Sequence, residues 1–246
     1  MKKKTIFFLV LLIIIVAVIY LNRSFAYIYH KIGQEHLPPV NKEMIYDFTK
    51  NPSASTTFTF VALGDSLTAG VGATIDTQSW PYLVADRLAD QYGKVRLVNL
   101  GQPGVKSADL LSWQLPSAIA FKPDYATLLI GVNDIHNHVS VDDFIKNVSL
   151  IIDELQTKTR AKVLLINIPY IGSPRLVLPP YDFYFQSRTK EFNQVLAKLC
   201  QDKKITCLDL YHPSLKESAS PDFYSADLFH PSSAGYLSWS KIIYAN

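Results

Sequence analysis

Residues 57–70 read TFTFVALGDSLTAG, and this stretch decides how the chain folds. Its first seven residues, 57–63, are β-branched, aromatic or aliphatic and predict a buried strand. Gly64 then permits a sharp turn, and Asp65 and Ser66 place polar side chains directly at the end of that strand. We therefore expect a strand whose carboxyl end presents a serine at a tight turn.

Four further apolar runs follow, and stretches with helical spacing separate them. These runs are residues 95–100, 125–130, 163–168 and 205–210. Phe144, Val148 and Leu155 trace the inner face of one intervening helix, and a closing helix is predicted over residues 234–243. Strands that alternate with helices predict an α/β fold: a three-layer α/β/α sandwich with a central five-stranded parallel sheet. In such a sheet the functional loops follow the carboxyl ends of the strands.

An unbroken apolar run, residues 5–21, precedes this pattern, and three lysines stand before it. At a rise of ~1.5 Å per residue the run extends roughly 25 Å, which is close to the hydrocarbon thickness of a bilayer. The lysines favour a cytoplasmic N-terminus, which sends the rest of the chain out of the cytoplasm. We predict a single-pass membrane protein whose folded domain lies outside the cytoplasm.

The N-terminal segment also fits a second interpretation. Ser24-Phe25-Ala26 resembles a cleavage site for a secretory signal, and cleavage there would release a secreted protein. We predict an uncleaved signal-anchor or transmembrane helix over residues 1–26, because the apolar run is longer than the usual signal core. A juxtamembrane linker over residues 27–56 and a folded domain over residues 57–246 complete the predicted organisation.

The net positive charge of the chain comes from residues beside this N-terminal segment. The formal net charge of the 246 residues is +3, and Lys2, Lys3, Lys4 and Arg23 supply four positive charges, which leaves about −1 for the rest. Nucleic-acid binding would need basic residues clustered on the folded part, so we predict no nucleic-acid partner.

The two cysteines, Cys200 and Cys207, lie at a predicted turn from a helix to a strand. A disulfide outside the cytoplasm and two small buried thiols are both consistent with this position. Their spacing is not that of metal ligands, and no motif in the chain indicates a metal or a cofactor.

Four polar blocks follow predicted strands or occupy the final loop. They are Gly64-Asp65-Ser66-Leu67, Asn99-Leu100-Gly101-Gln102-Pro103-Gly104, Gly131-Val132-Asn133-Asp134 and Asp227-Leu228-Phe229-His230-Pro231. Acyl transfer requires a nucleophile, a base, a carboxylate that orients the base, and hydrogen-bond donors for the oxyanion. All four kinds of group occur in these blocks.

Each group has a predicted role in that chemistry. Ser66 is the predicted nucleophile, His230 the general base, and Asp227, three residues earlier, the carboxylate that fixes the imidazole tautomer. The backbone N–H groups of Ser66 and Gly101 and the side-chain amide of Asn133 are the predicted oxyanion hole. Asp65 and Asp134 are expected to cap the helices that follow them. His136 and His138 are expected to be exposed loop residues, with contact to the substrate as the alternative.

The four blocks, in this order, resemble those of the SGNH/GDSL hydrolases. Ser66, Gly101, Asn133 and His230 match the four residues of the family's acronym, and Asp227 completes its D-x-x-H arrangement. The resemblance covers residues 57–246 and implies the flavodoxin-like fold of that family and a serine esterase or acylhydrolase activity. The second block departs from many relatives, which carry Ser or Ala where this chain has Pro103.

Other functions share part of this pattern. An ordinary α/β-hydrolase would need the motif G-x-S-x-G, which this sequence lacks. A non-catalytic surface-binding module of the same fold, and an acyltransferase that uses the same triad, remain alternatives to the esterase.

The substrate is predicted to be an ester or thioester, and its acyl group is open. A lipid or short-chain ester and an O-acetylated glycan of the cell envelope both suit a domain fixed beside a membrane. Residues 170–185, YIGSPRLVLPPYDFYF, are expected either to line an acyl or aromatic pocket or to pack on the edge of the sheet.

Overall fold

The computed structural model of the protein describes residues 2–32 and 43–245. Residues 33–42, the central part of the predicted linker with Pro38 and Pro39, lie outside the described residues.

A mixed sheet forms the centre of the molecule, and the described residues contribute six strands to it. They are β1 (Met44–Thr49), β2 (Phe58–Gly64), β3 (Lys94–Asn99), β4 (Tyr125–Leu129), β5 (Lys162–Ile166) and β6 (Thr206–Leu208). Their spatial order is β1-β3-β2-β4-β5-β6, and every neighbouring pair from β3 to β6 is parallel. The five predicted parallel strands are confirmed.

The sixth strand, β1, corrects the prediction of a five-stranded sheet. It lies within the segment predicted as a linker and pairs antiparallel with β3 at the edge of the sheet. Tyr46 and Phe48 pack against Tyr82, whereas the alternate side chains of the strand are exposed. A strand with only one covered face lacks the continuous apolar run that identifies the other five.

The helices cover both faces of the sheet. They are α1 (Lys2–Ile32), α2 (Ser66–Ala69), α3 (Trp80–Tyr92), α4 (Ser107–Ala120), α5 (Val132–His136), α6 (Val141–Lys158), α7 (Tyr181–Lys203), α8 (Tyr211–Glu217) and α9 (Ser233–Tyr244). Helices α3 and α9 pack together on one face, and α4, α6 and α7 pack on the other, which gives the three predicted layers.

The core lies between the sheet and these helices. Phe144 of α6 and Phe192 of α7 are fully buried, and their ring centroids are 4.6 Å apart. A disulfide between Cys200 and Cys207 joins the end of α7 to β6, with the two Cα atoms 5.9 Å apart. The structure therefore contains the disulfide, one of the two states that the sequence allowed.

Helix α1 is a single helix of 31 residues that is long and apolar enough to cross a membrane. Side chains such as Phe7, Ile13 and Val16 are more than half exposed. The helix continues past residue 26, where the predicted anchor ends, and its last turns contact the domain. Ile28 is only 5% exposed and packs against Leu176 and Val177.

Candidate active site

The order of the strands places a crevice at the end of β2. The strand that follows β2 in the chain, β3, lies on one side of it, and the next one, β4, lies on the other side. Connections therefore leave the carboxyl end of β2 in opposite directions, and ligands bind at such switch points in open α/β sheets. Ser66, the first residue of α2, stands at this position.

Three hydrogen bonds hold the short helix that carries Ser66. The carboxylate Oδ1 of Asp65 accepts from the backbone N–H of Leu67 at 2.9 Å, which caps α2 as predicted. The indole N–H of Trp80 donates to the carbonyl of Leu67 at 3.0 Å, and the amide of Asn99 donates to the carbonyl of Thr68 at 2.9 Å. The position of Ser66 is thus fixed from both ends of α2.

Ser66, His230 and Asp227 form one chain of hydrogen bonds. Ser66 Oγ lies 2.9 Å from His230 Nε2, and His230 Nδ1 lies 2.5 Å from Asp227 Oδ2. All three side chains are buried, with 8%, 3% and 1% of their residues' surface exposed. A carboxylate at Nδ1 selects the tautomer with the proton on Nδ1, so that Nε2 accepts from the serine hydroxyl.

The second carboxylate oxygen of Asp227, which does not contact the His230 ring, stabilises the turn from Asp227 to His230. Asp227 Oδ1 accepts from the backbone N–H groups of Phe229 at 2.7 Å and His230 at 2.9 Å, and from the Ser225 hydroxyl at 2.7 Å. Burial alone would raise the pKa of Asp227, but the hydrogen bond and charge of His230, with these further donors, hold the pKa below its ordinary value. The carboxylate is therefore ionised at neutral pH.

The predicted oxyanion donors differ in whether their N–H groups are already hydrogen-bonded. The Ser66 N–H is the first of α2 and has no acceptor within its own helix. The Asn133 amide lines the same cavity as Ser66 and His230, and it donates one of its two N–H groups to the Val105 carbonyl at 3.0 Å.

Gly101 occupies a site that only glycine fits. A Cβ atom at this position would lie 2.3 Å from the backbone nitrogen of Ala69, so the glycine permits the loop after β3 to contact α2. Its N–H donates to the Asn99 side chain at 2.9 Å in this structure. The role of Gly101 as an oxyanion donor therefore stays a prediction.

Two buried carboxylates, Asp65 and Asp134, are neighbours in the chain of Ser66 and Asn133. Asp134 accepts from the backbone N–H and the hydroxyl of Ser107, so it caps α4 rather than the helix that follows it in the chain. Burial, with a smaller contribution from the charge of Asp134, raises the pKa of Asp65 to about 7.

One supporting residue has no signal in the sequence. The amide of Gln114, in α4, donates to the Gly64 carbonyl at 2.8 Å and accepts from the Gly64 N–H at 3.0 Å. These bonds hold the backbone at the end of β2, in addition to its pairing with β4. A glutamine in the middle of a helix ordinarily faces solvent, which is why sequence reasoning does not single it out.

A cavity of about 240 Å³ opens beside Ser66 and His230. The segment 170–185 contributes Ile171, Val177 and Phe185 to its walls, so this segment lines a pocket, one of the two arrangements expected for it. His136 also lines the cavity and is half-buried, unlike the exposed position that the sequence suggests. Its pKa is lowered by burial and by the neighbouring His138.

Sequence similarity links the chain to known hydrolases. A family model described as GDSL-like Lipase/Acylhydrolase family matches residues 62–237. An acetylxylan esterase of Geobacillus stearothermophilus is 25% identical over 154 residues, which cover 58% of this chain and 68% of that protein.

Solved structures show the same fold. The lipase/acylhydrolase from Enterococcus faecalis is 27% identical, with a TM-score of 0.64 over 76% of this chain and 94% of its own. The psychrotrophic esterase EstA from Pseudoalteromonas sp. is 20% identical, with a TM-score of 0.62 over 76% of this chain and 94% of its own.

Proposed function

Because the chain belongs to the GDSL-like lipase/acylhydrolase family, whose members hydrolyse carboxylic esters, we propose that Ser66, His230 and Asp227 are its catalytic triad. The observation that carries this proposal is the buried chain of hydrogen bonds from Ser66 Oγ through the His230 ring to Asp227. These contacts support the proposal, because acyl transfer requires a nucleophile, a base and an orienting carboxylate linked in this order.

In the first half of the reaction, Ser66 Oγ attacks the carbonyl carbon of the ester while its proton passes to His230 Nε2. The negative charge that develops on the carbonyl oxygen is stabilised by the Ser66 N–H and the Asn133 amide. Gly101 joins these donors when its N–H exchanges the Asn99 oxygen for the substrate oxygen. His230 then protonates the departing alcohol, and the acyl group stays on Ser66.

In the second half, water takes the place of the alcohol. The water oxygen attacks the acyl carbon while His230 Nε2 accepts a proton from the water. His230 then returns a proton to Ser66 Oγ. The carboxylic acid leaves and the serine is restored. Asp227 remains ionised and stabilises the imidazolium that forms in both halves.

The test compares wild type with Ser66→Ala and with a matched control, Ser112→Ala. Ser112 is an exposed serine of α4 whose hydroxyl donates to the carbonyl of Ala108 in the same helix. Hydrolysis of p-nitrophenyl acetate and butyrate and labelling by a fluorophosphonate should disappear in Ser66→Ala and persist in Ser112→Ala. Equal activity and labelling in all three proteins would contradict the assignment of Ser66.

We further propose that α1 anchors the protein in a membrane and that the catalytic domain lies outside the cytoplasm. The apolar, exposed side chains of α1 and the disulfide between Cys200 and Cys207 support this placement, since disulfides persist in oxidising compartments.

Two acyl substrates follow from the relatives. The similarity to an acetylxylan esterase supports an acetyl ester of a glycan, and the similarity to a lipase/acylhydrolase supports a lipid ester.

A further inference from the structure

The cavity beside Ser66 has a wall that comes from outside the catalytic domain. Ile28, Tyr29 and Ile32, all in the last turns of α1, line it together with the catalytic residues. A cleaved or undocked α1 would leave this side of the cavity open to solvent.

Specific contacts hold α1 in this position. Ile28 packs into the small cluster with Leu176 and Val177, and the Tyr29 hydroxyl hydrogen-bonds Nε2 of His136. Further along the helix, the Tyr20 hydroxyl donates to the carbonyl of Pro179 at 3.0 Å. The contacts thus reach from the cavity to the end of the apolar run of α1.

The chemistry of the cavity suits a hydrocarbon chain. Away from the reacting groups its walls are mostly apolar, and the apolar side chains include Ile28, Ile32, Ile171, Val177, Phe185 and Phe229. His136 adds no positive charge at neutral pH, because its pKa lies below the ordinary value. An acetylated sugar would need polar partners for its hydroxyl groups, which this cavity supplies poorly.

The size of the cavity agrees with its chemistry. Its volume of about 240 Å³ is several times the ~30 Å³ that one water molecule occupies in the liquid, so it holds more than the methyl group of an acetate ester. Each methylene group of the acyl chain that is buried in it should tighten binding of the ester about fourfold.

We propose that the end of α1, residues 25–32, is a wall of the acyl-binding site and selects esters with an acyl chain longer than acetyl. The inference rests on the proposed esterase function and names the substrate class of that same site. A membrane lipid and a free ester offer the same acyl chain, and the experiment distinguishes these two sources.

The test uses the full chain in lipid nanodiscs with three variants. Ile28→Trp fills the cavity, Ile28→Ala enlarges it, and Ile13→Trp is the control on the exposed, lipid-facing part of the same helix, where Ile13 is 66% exposed. The measured quantity is kcat/KM for p-nitrophenyl acetate, octanoate and dodecanoate, which gives a chain-length profile for each protein.

Wild type should prefer octanoate over acetate. Ile28→Trp should lower the ratio of octanoate to acetate activity by at least ~tenfold, the effect of one misfitting group in an apolar pocket. Ile28→Ala should move the preference toward dodecanoate, and Ile13→Trp should keep the wild-type profile. An acetate preference in wild type, or one profile shared by all four proteins, would overturn the inference while leaving ester hydrolysis intact. If wild type hydrolyses none of these esters in a way that depends on Ser66, the proposed function is overturned instead.

A second measurement identifies the source of the chain. Dioctanoyl phosphatidylglycerol is placed in the same nanodisc as the protein, and methyl octanoate is supplied in solution. Faster release of octanoate from the disc lipid assigns the membrane as the source, and faster release from the dissolved ester assigns a free ester. Release of octanoate from neither compound overturns the inference.

Discussion

At the scale of single residues, the short turn from Asp227 to His230 links structure and chemistry through one side chain. One carboxylate oxygen of Asp227 holds the turn through two backbone N–H groups, and the other holds the His230 ring. A substitution that keeps the shape of Asp227 but removes its charge therefore separates the two roles.

Asp227→Asn should lower kcat on the order of 10⁴-fold and leave the fold intact. The asparagine amide would donate to Nδ1 of His230 and so favour the tautomer that carries its proton on Nε2, which cannot accept the proton of Ser66. Asp222→Asn, an exposed residue of the same loop, is the control. Steady-state kinetics and circular dichroism are the measurements, and a loss smaller than tenfold would contradict the role of Asp227.

Asp65 should make the folded protein less stable as the pH rises, whereas a carboxylate in an ion pair makes it more stable. Its pKa is raised to about 7 by burial, above the value of 3.8 expected for an exposed aspartate. The folded protein therefore holds a proton that the unfolded chain has lost, and this contribution to stability declines as the pH rises from about 4 to about 7.

Asp65→Asn should remove this decline, because asparagine is neutral and is an equally good helix cap. The difference between the free energies of unfolding of variant and wild type should grow by roughly 2–4 kcal/mol in favour of the variant between pH 4 and pH 8. Asp202→Asn, an exposed position of α7, should show no such growth. Urea unfolding at each pH measures the effect, and parallel pH profiles for wild type and Asp65→Asn would refute it.

At the scale of secondary-structure elements, the buried parallel strands are the part of the fold that the sequence predicts best. Strands β2 to β5 are mostly buried and appear as short apolar runs, whereas β1 has one exposed face and an Asp at its centre. The rule that loops at strand ends carry function also leads to Ser66 and Asn133, which follow β2 and β4 and line the same cavity.

Contacts between distant elements are what sequence patterns do not predict. Ile28 and Tyr29 lie in a helix whose pattern indicates only a membrane segment, and their partners Val177 and His136 are more than one hundred residues away. Gln114 likewise has no local signal for its bonds to Gly64. Such contacts follow from the three-dimensional arrangement rather than from periodicity or turn chemistry.

The disulfide between Cys200 and Cys207 joins α7 to β6 and should stabilise the fold. Replacing both cysteines, with Cys200→Ser and Cys207→Ser together, should lower the free energy of unfolding by roughly 2–3 kcal/mol, because the short loop is no longer closed in the unfolded chain. Urea unfolding of the full chain in detergent measures the change. Dithiothreitol should destabilise wild type by the same amount and leave the double variant unaffected; equal stability of oxidised wild type and double variant would rule the prediction out.

At the scale of the whole molecule, α1 and the catalytic domain act as one packed unit. Tyr20 and Ile28 contact the domain on either side of Ala26, the candidate cleavage site. Since cleavage there would divide a continuous helix, we expect the membrane-bound protein to retain residues 1–26.

N-terminal sequencing and intact mass spectrometry of protein from the membrane fraction test this expectation. The retained anchor gives a mass that includes residues 1–26, and the same protein should resist extraction from membranes by alkaline carbonate. A polypeptide that begins at Tyr27 would show that α1 is cleaved.

If α1 is the membrane anchor that we propose, its packing against the domain fixes the distance of Ser66 from the bilayer. From Leu21, the last residue of the apolar run, to Ile28 beside the cavity, the helix rises ~10 Å at ~1.5 Å per residue. A flexible tether would let the serine sample a range of distances from the bilayer, whereas a packed helix holds it at one. With the proposed anchoring, an ester group buried in the membrane would have to rise to that level before Ser66 reaches it. We therefore expect the protein to discriminate between esters by their depth in the bilayer as well as by the length of their acyl chains.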